Sequence, residues 1–142
     1  MTVCRLTATM TLVLTIAVGG CGGKQPMTVP VSGHITFSGG ACPAEGTIAF
    51  SPIAVEKGRP RRPGTARFRQ DGAFTVTSFR EGDGLIPGHY RPIVSCWKGE
   101  PHNDDQSSFE RLNCVPSNYK AEEVVVAPSD DAVVVKLDVP KK

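Results

Sequence analysis

Residues 70–97 set the grain of this chain. Gln70-Asp71-Gly72 spells a tight turn, because glycine takes the positive-φ position that such turns need. Residues 73–79 then alternate, with Phe74 and Val76 directed to one face. Glu81-Gly82-Asp83-Gly84-Leu85-Ile86-Pro87-Gly88 carries too much glycine and proline for a helix interior or a central strand. Residues 90–97 alternate again, with Tyr90, Val94 and Cys96 on one face. Turn, strand, glycine- and proline-rich loop and second strand follow one another directly, which is β-sandwich punctuation.

The flanking sequence keeps this rhythm. Val29, Val31, Gly33, Ile35 and Phe37 alternate with Pro30, Ser32, His34 and Thr36, which predicts a half-buried strand over 29–37. Residues 38–43 form a turn. A second strand is expected over 47–53 with Ile48 and Phe50 inward, and Pro52 ends it or marks an edge. Residues 54–64 are a loop of charge and proline, and 65–69 a third strand with Ala66 and Phe68 inward. Residues 98–119 form a polar connection, long for a compact domain. Short strands are expected over 122–127 and 132–139, separated by Pro128-Ser129-Asp130-Asp131. Seven strands predict an all-β fold, an antiparallel β-sandwich of about seven strands over residues 29–140. The 12 prolines and 15 glycines fit many turns, and 39% hydrophobic residues suffice for one core in 142 residues. A net charge of +2 lacks the basic excess of a nucleic-acid binder.

The first 20 residues read as a processing signal, not as structure. Arg5 precedes an apolar run over 6–18 that contains Leu12, Val13, Leu14, Ile16 and Val18, and Gly19 and Gly20 follow. The run is shorter than the roughly 20 apolar residues a membrane-spanning helix needs. Val18-Gly19-Gly20-Cys21 resembles a bacterial lipobox, in which an aliphatic and two small residues precede a cysteine. The resemblance implies cleavage before Cys21, a diacylglyceryl thioether on its sulfur and acylation, as with palmitate, of its amino group. Residues 21–28 then form the lipidated cysteine and a flexible tether. Each buried CH₂ contributes roughly 0.8 kcal/mol, so two or three chains hold a protein firmly. Gly22 stands where aspartate would favour inner-membrane retention in two-membrane bacteria, which points weakly to the outer membrane.

Within the domain, Val31-Ser32-Gly33-His34-Ile35, then residues 39–50 and Pro52, then Asp71-Gly72-Ala73-Phe74, then Gly82-Asp83-Gly84 and Pro87-Gly88-His89-Tyr90 follow in order. Val115-Pro116-Ser117-Asn118-Tyr119 precedes the last two strands. This order resembles the transthyretin-like, carboxypeptidase-regulatory-like domain of small bacterial lipoproteins. The resemblance implies a prealbumin-like or immunoglobulin-like sandwich without defined catalytic residues. Pro92 departs from it, sitting mid-strand without an N–H, so the strand is expected to be an edge or bulged there.

Cysteine is the richest chemical signal. Cys4 lies in the leader and Cys21 in the lipobox, which leaves Cys42, Cys96 and Cys114. If successive strands alternate in direction, these three fall at one pole and all three pairings are open. Cys96–Cys114 is preferred because it closes the smallest loop; the alternative is a buried Cys96 thiol and no bridge. There is no Cys-x-x-Cys pair and no Gly-x-Ser-x-Gly elbow. His34, His89 and His102 are scattered, and neither Glu81 with Asp83 nor Asp104 with Asp105 has calcium-loop spacing, so neither a metal site nor a cofactor is expected.

Arg59, Arg61 and Arg62 fall at the opposite pole, near the tether, where they are candidates for contact with anionic headgroups. Trp97, Phe109 and Tyr119 are candidates for a partner surface at the distal pole. The sequence reading is therefore a lipid-anchored, extracytoplasmic binding or structural module of the cell envelope, not an enzyme. Its partners are the membrane and an envelope protein or glycan. The alternative is a small envelope enzyme or transport-accessory protein.

Overall fold

The computed structural model describes residues 27–100 and 106–142. The leader, Cys21 and most of the tether lie outside the described residues, as do His102, Asp104 and Asp105. Seven strands form two sheets: β1 (Val31–Phe37), β2 (Gly46–Val55), β3 (Gly64–Phe68), β4 (Ala73–Thr75), β5 (Gly88–Cys96), β6 (Val124–Val126) and β7 (Val133–Val139). One sheet has the order β4-β1-β7 and the other β3-β2-β5-β6. The all-β sandwich expected from the alternation is the fold observed.

Alternation places the core. In β5 every second residue is buried, from Gly88 to Cys96, and His89, Arg91, Ile93 and Ser95 face out. Phe37, Ile48, Phe50, Phe68 and Tyr90 are among the fully buried side chains between the sheets. Phe50 and Phe74 meet across the sheets with ring centroids 6.2 Å apart. The Tyr90 hydroxyl donates to Ile86 O at 2.8 Å, four residues upstream, which satisfies the polar end of a wholly buried ring and pins the corner entering β5.

The ladders are antiparallel except one. β1 pairs with β7 in parallel along its whole length, from Val31↔Val133 to Phe37↔Val139. Strand directions do alternate along the chain, so the first and seventh strands point the same way. Adjacent alignment of the two then requires a parallel ladder.

The expected strand over 73–79 is shorter, because the chain changes sheets within it. Ala73–Thr75 pairs with β1, and then Thr77 exchanges two 2.8 Å backbone hydrogen bonds with Thr65 of β3. This crossing sews one side of the sandwich shut. Pro92 lies in an internal strand with edge character at that point. β6 pairs only with Gly88–Tyr90, so β5 has no β6 ladder at Pro92. The bulge falls on the partner strand, between Pro52 and Ala54.

Two glycines fix close approaches. Gly72 has φ +78° in the turn before β4, and a Cβ there would stand 2.0 Å from Ile35 O. Gly84 has φ +85°, and a Cβ would stand 1.8 Å from Val29 O, where Val29 and Leu85 exchange hydrogen bonds. Only glycine combines that dihedral with that contact. The chain thus enters the domain clamped between Gly84 and Leu85, at the pole opposite the end of β5.

The polar connection over 98–119 is not wholly irregular. It contains a short helix, α1 (Gln106–Leu112), which the sequence reading missed.

Candidate binding pole

At the far end of β5 the chain turns out through Trp97 and returns through Asn113. These two residues form an antiparallel bridge, flanked by Lys98 N to Leu112 O at 3.0 Å and Cys114 N to Cys96 O at 2.9 Å. The excursion between them carries α1. Trp97 and Phe109 meet edge to face, with centroids 6.0 Å apart and planes at 88°. Phe109 keeps 38% of its surface exposed, and Trp97 is half-buried. The structure therefore joins two of the three aromatics named from sequence. Tyr119 packs half-buried against the core, and burial, with the charges of Asp138 and Glu122, raises its phenol above the ordinary value.

Beside α1 lies a cleft of about 570 Å³ bounded by Phe37, Ala41 and Pro43 on the sandwich side and by Ser107, Glu110 and Arg111 on the helix side. Lys98, Arg111, Lys141 and Lys142 bring four cations to its wall against the single acid Glu110, and Cys114 forms part of the lining. A second groove of about 660 Å³ follows the β3–β4 seam, with only Arg67 and Glu81 as charged lining. The smaller cleft has the convergent side chains, so it is the better candidate for recognition.

The three cysteines of the domain converge under this pole as buried free thiols. The Cys96 thiol donates to Ala44 O at 3.6 Å, and the Cys114 thiol to Leu112 O at 3.7 Å. Burial first, then the Cys114 contact, push the Cys96 thiol up to about 12. The Cys42 thiol donates to Ile35 O at 3.4 Å, and burial followed by the charge of Asp71 raises it as well.

The opposite pole uses its arginines internally. Arg59 pairs with Glu56 at 2.7 Å, and Arg61 donates to Pro52 O and Ile53 O, both at 3.0 Å. Arg62 donates to Ser78 O at 2.6 Å and stacks 4.5 Å from the centroid of Phe79. These contacts hold the loop between β2 and β3 against its neighbours. Arg61 and Arg62 are nonetheless exposed.

Asp83 caps the adjacent loop. Its carboxylate accepts from the N–H groups of Ser78, Phe79 and Arg80 at 2.8–3.3 Å. Burial opposes its ionisation, but these backbone donors outweigh that and hold the carboxyl below its ordinary value. His89 pairs with Glu123 on the outer sheet face, and His34 is exposed. Among the described residues no group of three or more His, Cys, Asp or Glu is placed to hold a metal ion. No helix among them is long and apolar enough to cross a membrane.

Sequence reasoning named Trp97, Phe109 and the cysteines but not the cationic wall. Lys98, Arg111, Lys141 and Lys142 come from three separate segments, and no local pattern joins them. Comparison of the chain with protein-family models, with curated proteins and with solved structures gave no match.

Proposed function

We propose that the chain is a lipid-anchored, extracytoplasmic binding or structural module of the cell envelope, of the transthyretin-like kind found in small bacterial lipoproteins. It carries no catalysis of its own. The observation that supports this reading best is the division of labour between the poles. The chain enters at the Val29–Leu85 end, next to the lipobox cysteine in sequence. The aromatic pair and the cationic cleft sit at the other end of the strands, roughly 20 Å away at about 3.3 Å per strand residue. A lipid on Cys21 would fix the entry pole and leave the other pole facing a partner protein or an anionic glycan. Arg61 and Arg62 are exposed at the entry pole and would approach anionic headgroups while keeping their internal bonds.

Labelling with radioactive palmitate tests the anchor. The full chain is expected to take label and the Cys21→Ala variant to take none; equal labelling of both overturns lipidation. Capture of envelope proteins and glycans on the purified chain tests the distal surface. Paired Trp97→Ala and Phe109→Ala variants are expected to lose the captured partner, whereas Arg59→Ser, Arg61→Ser and Arg62→Ser together should weaken only liposome binding.

A further inference from the structure

We propose that Cys114 and Cys96 are an oxidisable pair, in which Cys114 meets a disulfide oxidant from the cleft and Cys96 resolves it, stapling the α1 excursion to the end of β5 and leaving Cys42 reduced. The register carries the choice of pair. Trp97 bridges Asn113 in antiparallel fashion, and that register, continued one step, brings Cys96 and Cys114 to facing positions. They share the Cys114 N to Cys96 O hydrogen bond at 2.9 Å. Facing residues of an antiparallel pair hold their Cα atoms about 4.5–5.5 Å apart, within the usual disulfide range of about 4.4–6.8 Å. Both side chains join the same core cluster. Cys42 arrives from another segment, with its N–H on Gln70 O and its thiol on Ile35 O.

Access sets the order of events. Cys114 lines the cleft and is 8% exposed, whereas Cys96 is 0% exposed behind it. Cys114 gives up its proton and attacks one sulfur of the oxidant, breaking its S–S bond to form a mixed disulfide and expelling the other sulfur as a thiolate, which takes up that proton as the first thiol. Cys96 then gives up its proton and attacks the Cys114 sulfur, expelling the second thiol and closing the protein bridge. Two protein thiols are oxidised, the oxidant disulfide is reduced to two thiols, and the electrons balance.

The test uses the full chain, reduced and then exposed to oxidised glutathione in the folded state. Samples are acid-quenched over time, alkylated in denaturant and digested with trypsin. The expected end product joins the peptides 81–98 and 112–120, with Cys42 alkylated, and Cys42→Ser forms the same link. At early times the glutathione adduct is expected on the 112–120 peptide. A final link of Cys96 or Cys114 to any other cysteine, or alkylation of Cys42, Cys96 and Cys114 alike after prolonged exposure, overturns the pairing. An early adduct predominantly on the 81–98 peptide overturns the order.

Discussion

The Asp83 carboxylate serves three successive N–H donors, and the first of those residues holds two further contacts. Ser78 O accepts from Arg62, and the Ser78 hydroxyl donates to Gly84 O at 2.7 Å. Asp83→Asn keeps the shape but removes the charge, and is expected to cost about 1–2 kcal/mol, read as a lower Tm at neutral pH. The sign with pH follows from the lowered carboxyl of Asp83. An unfolded aspartate titrates near about 3.9, so the contribution is complete above that value. It is lost as the pH falls through the still lower folded value. The Tm gap between Asp83→Asn and the parent should therefore close below about pH 4, and a gap that widened in acid would exclude this role. Tyr90→Phe makes the complementary case: the ring stays, Ile86 O loses its donor, and unfolding by urea should report a loss of about 1–2 kcal/mol. Neither role is visible in sequence. Asp83 stands out there only as a loop acid and Tyr90 only as an inward aromatic, because the backbone partner of each depends on a turn closing first. The arginines of the entry pole behave the same way. Their charge is legible, but their carbonyl and ring partners come from β2 and from the residues preceding Asp83.

Strands are legible because each has one buried face, and a period of two survives in the sequence even where the ladder changes. Residues 73–79 show this: Phe74, Val76 and Ser78 are all buried, although the chain leaves β1 after Val76, whose N–H still reaches Val31 O at 2.8 Å. Burial alternation therefore predicts orientation correctly and strand length incorrectly. The helix α1 offers no comparable pattern. It spans two turns, has no acidic residue in its first turn, and carries only Phe109 and Leu112 as large apolar side chains. A segment of this length is unstable alone, since nucleation is costly and few bonds follow it. Its order must come from the pole, through the Trp97–Phe109 contact and the Asn113 bridge. Phe109→Ala is thus expected to raise amide exchange across residues 106–112 by tenfold or more, about 1.4 kcal/mol, while β2 and β5 keep their protection. Uniform loss of protection in the strands would show instead that α1 supports the whole fold.

At the scale of the molecule, the β1–β7 ladder joins the first strand to the last. Its side chains reinforce the register: the Thr36 hydroxyl donates to the Asp138 carboxylate at 2.7 Å across a sequence separation of 102 residues, and Gly39 N donates to the same oxygen at 2.9 Å. Alternation along the sequence indicates the direction of both strands but cannot reveal that they pair, because partner choice across so long a loop depends on the other five strands. The same separation disfavours early formation of this ladder, since the entropy of closing the chain is lost before any pairing offsets it. The β2–β3 hairpin is local by comparison, with Gly46↔Phe68 through Phe50↔Gly64 closed by residues 56–63. Substitutions in the two places should partition differently between folding and unfolding. Leu137→Ala removes a buried side chain from β7 and is expected to cost about 2–4 kcal/mol, most of it as faster unfolding. Ile48→Val in β2 is expected to cost about 0.5–1.5 kcal/mol, with a larger share as slower folding. Trp97, the one tryptophan, lies where β5 ends and reports both phases in stopped-flow fluorescence. If Leu137→Ala instead slowed folding and left unfolding unchanged, the ends of the chain would meet before the hairpins, and the sandwich would assemble around its parallel pair.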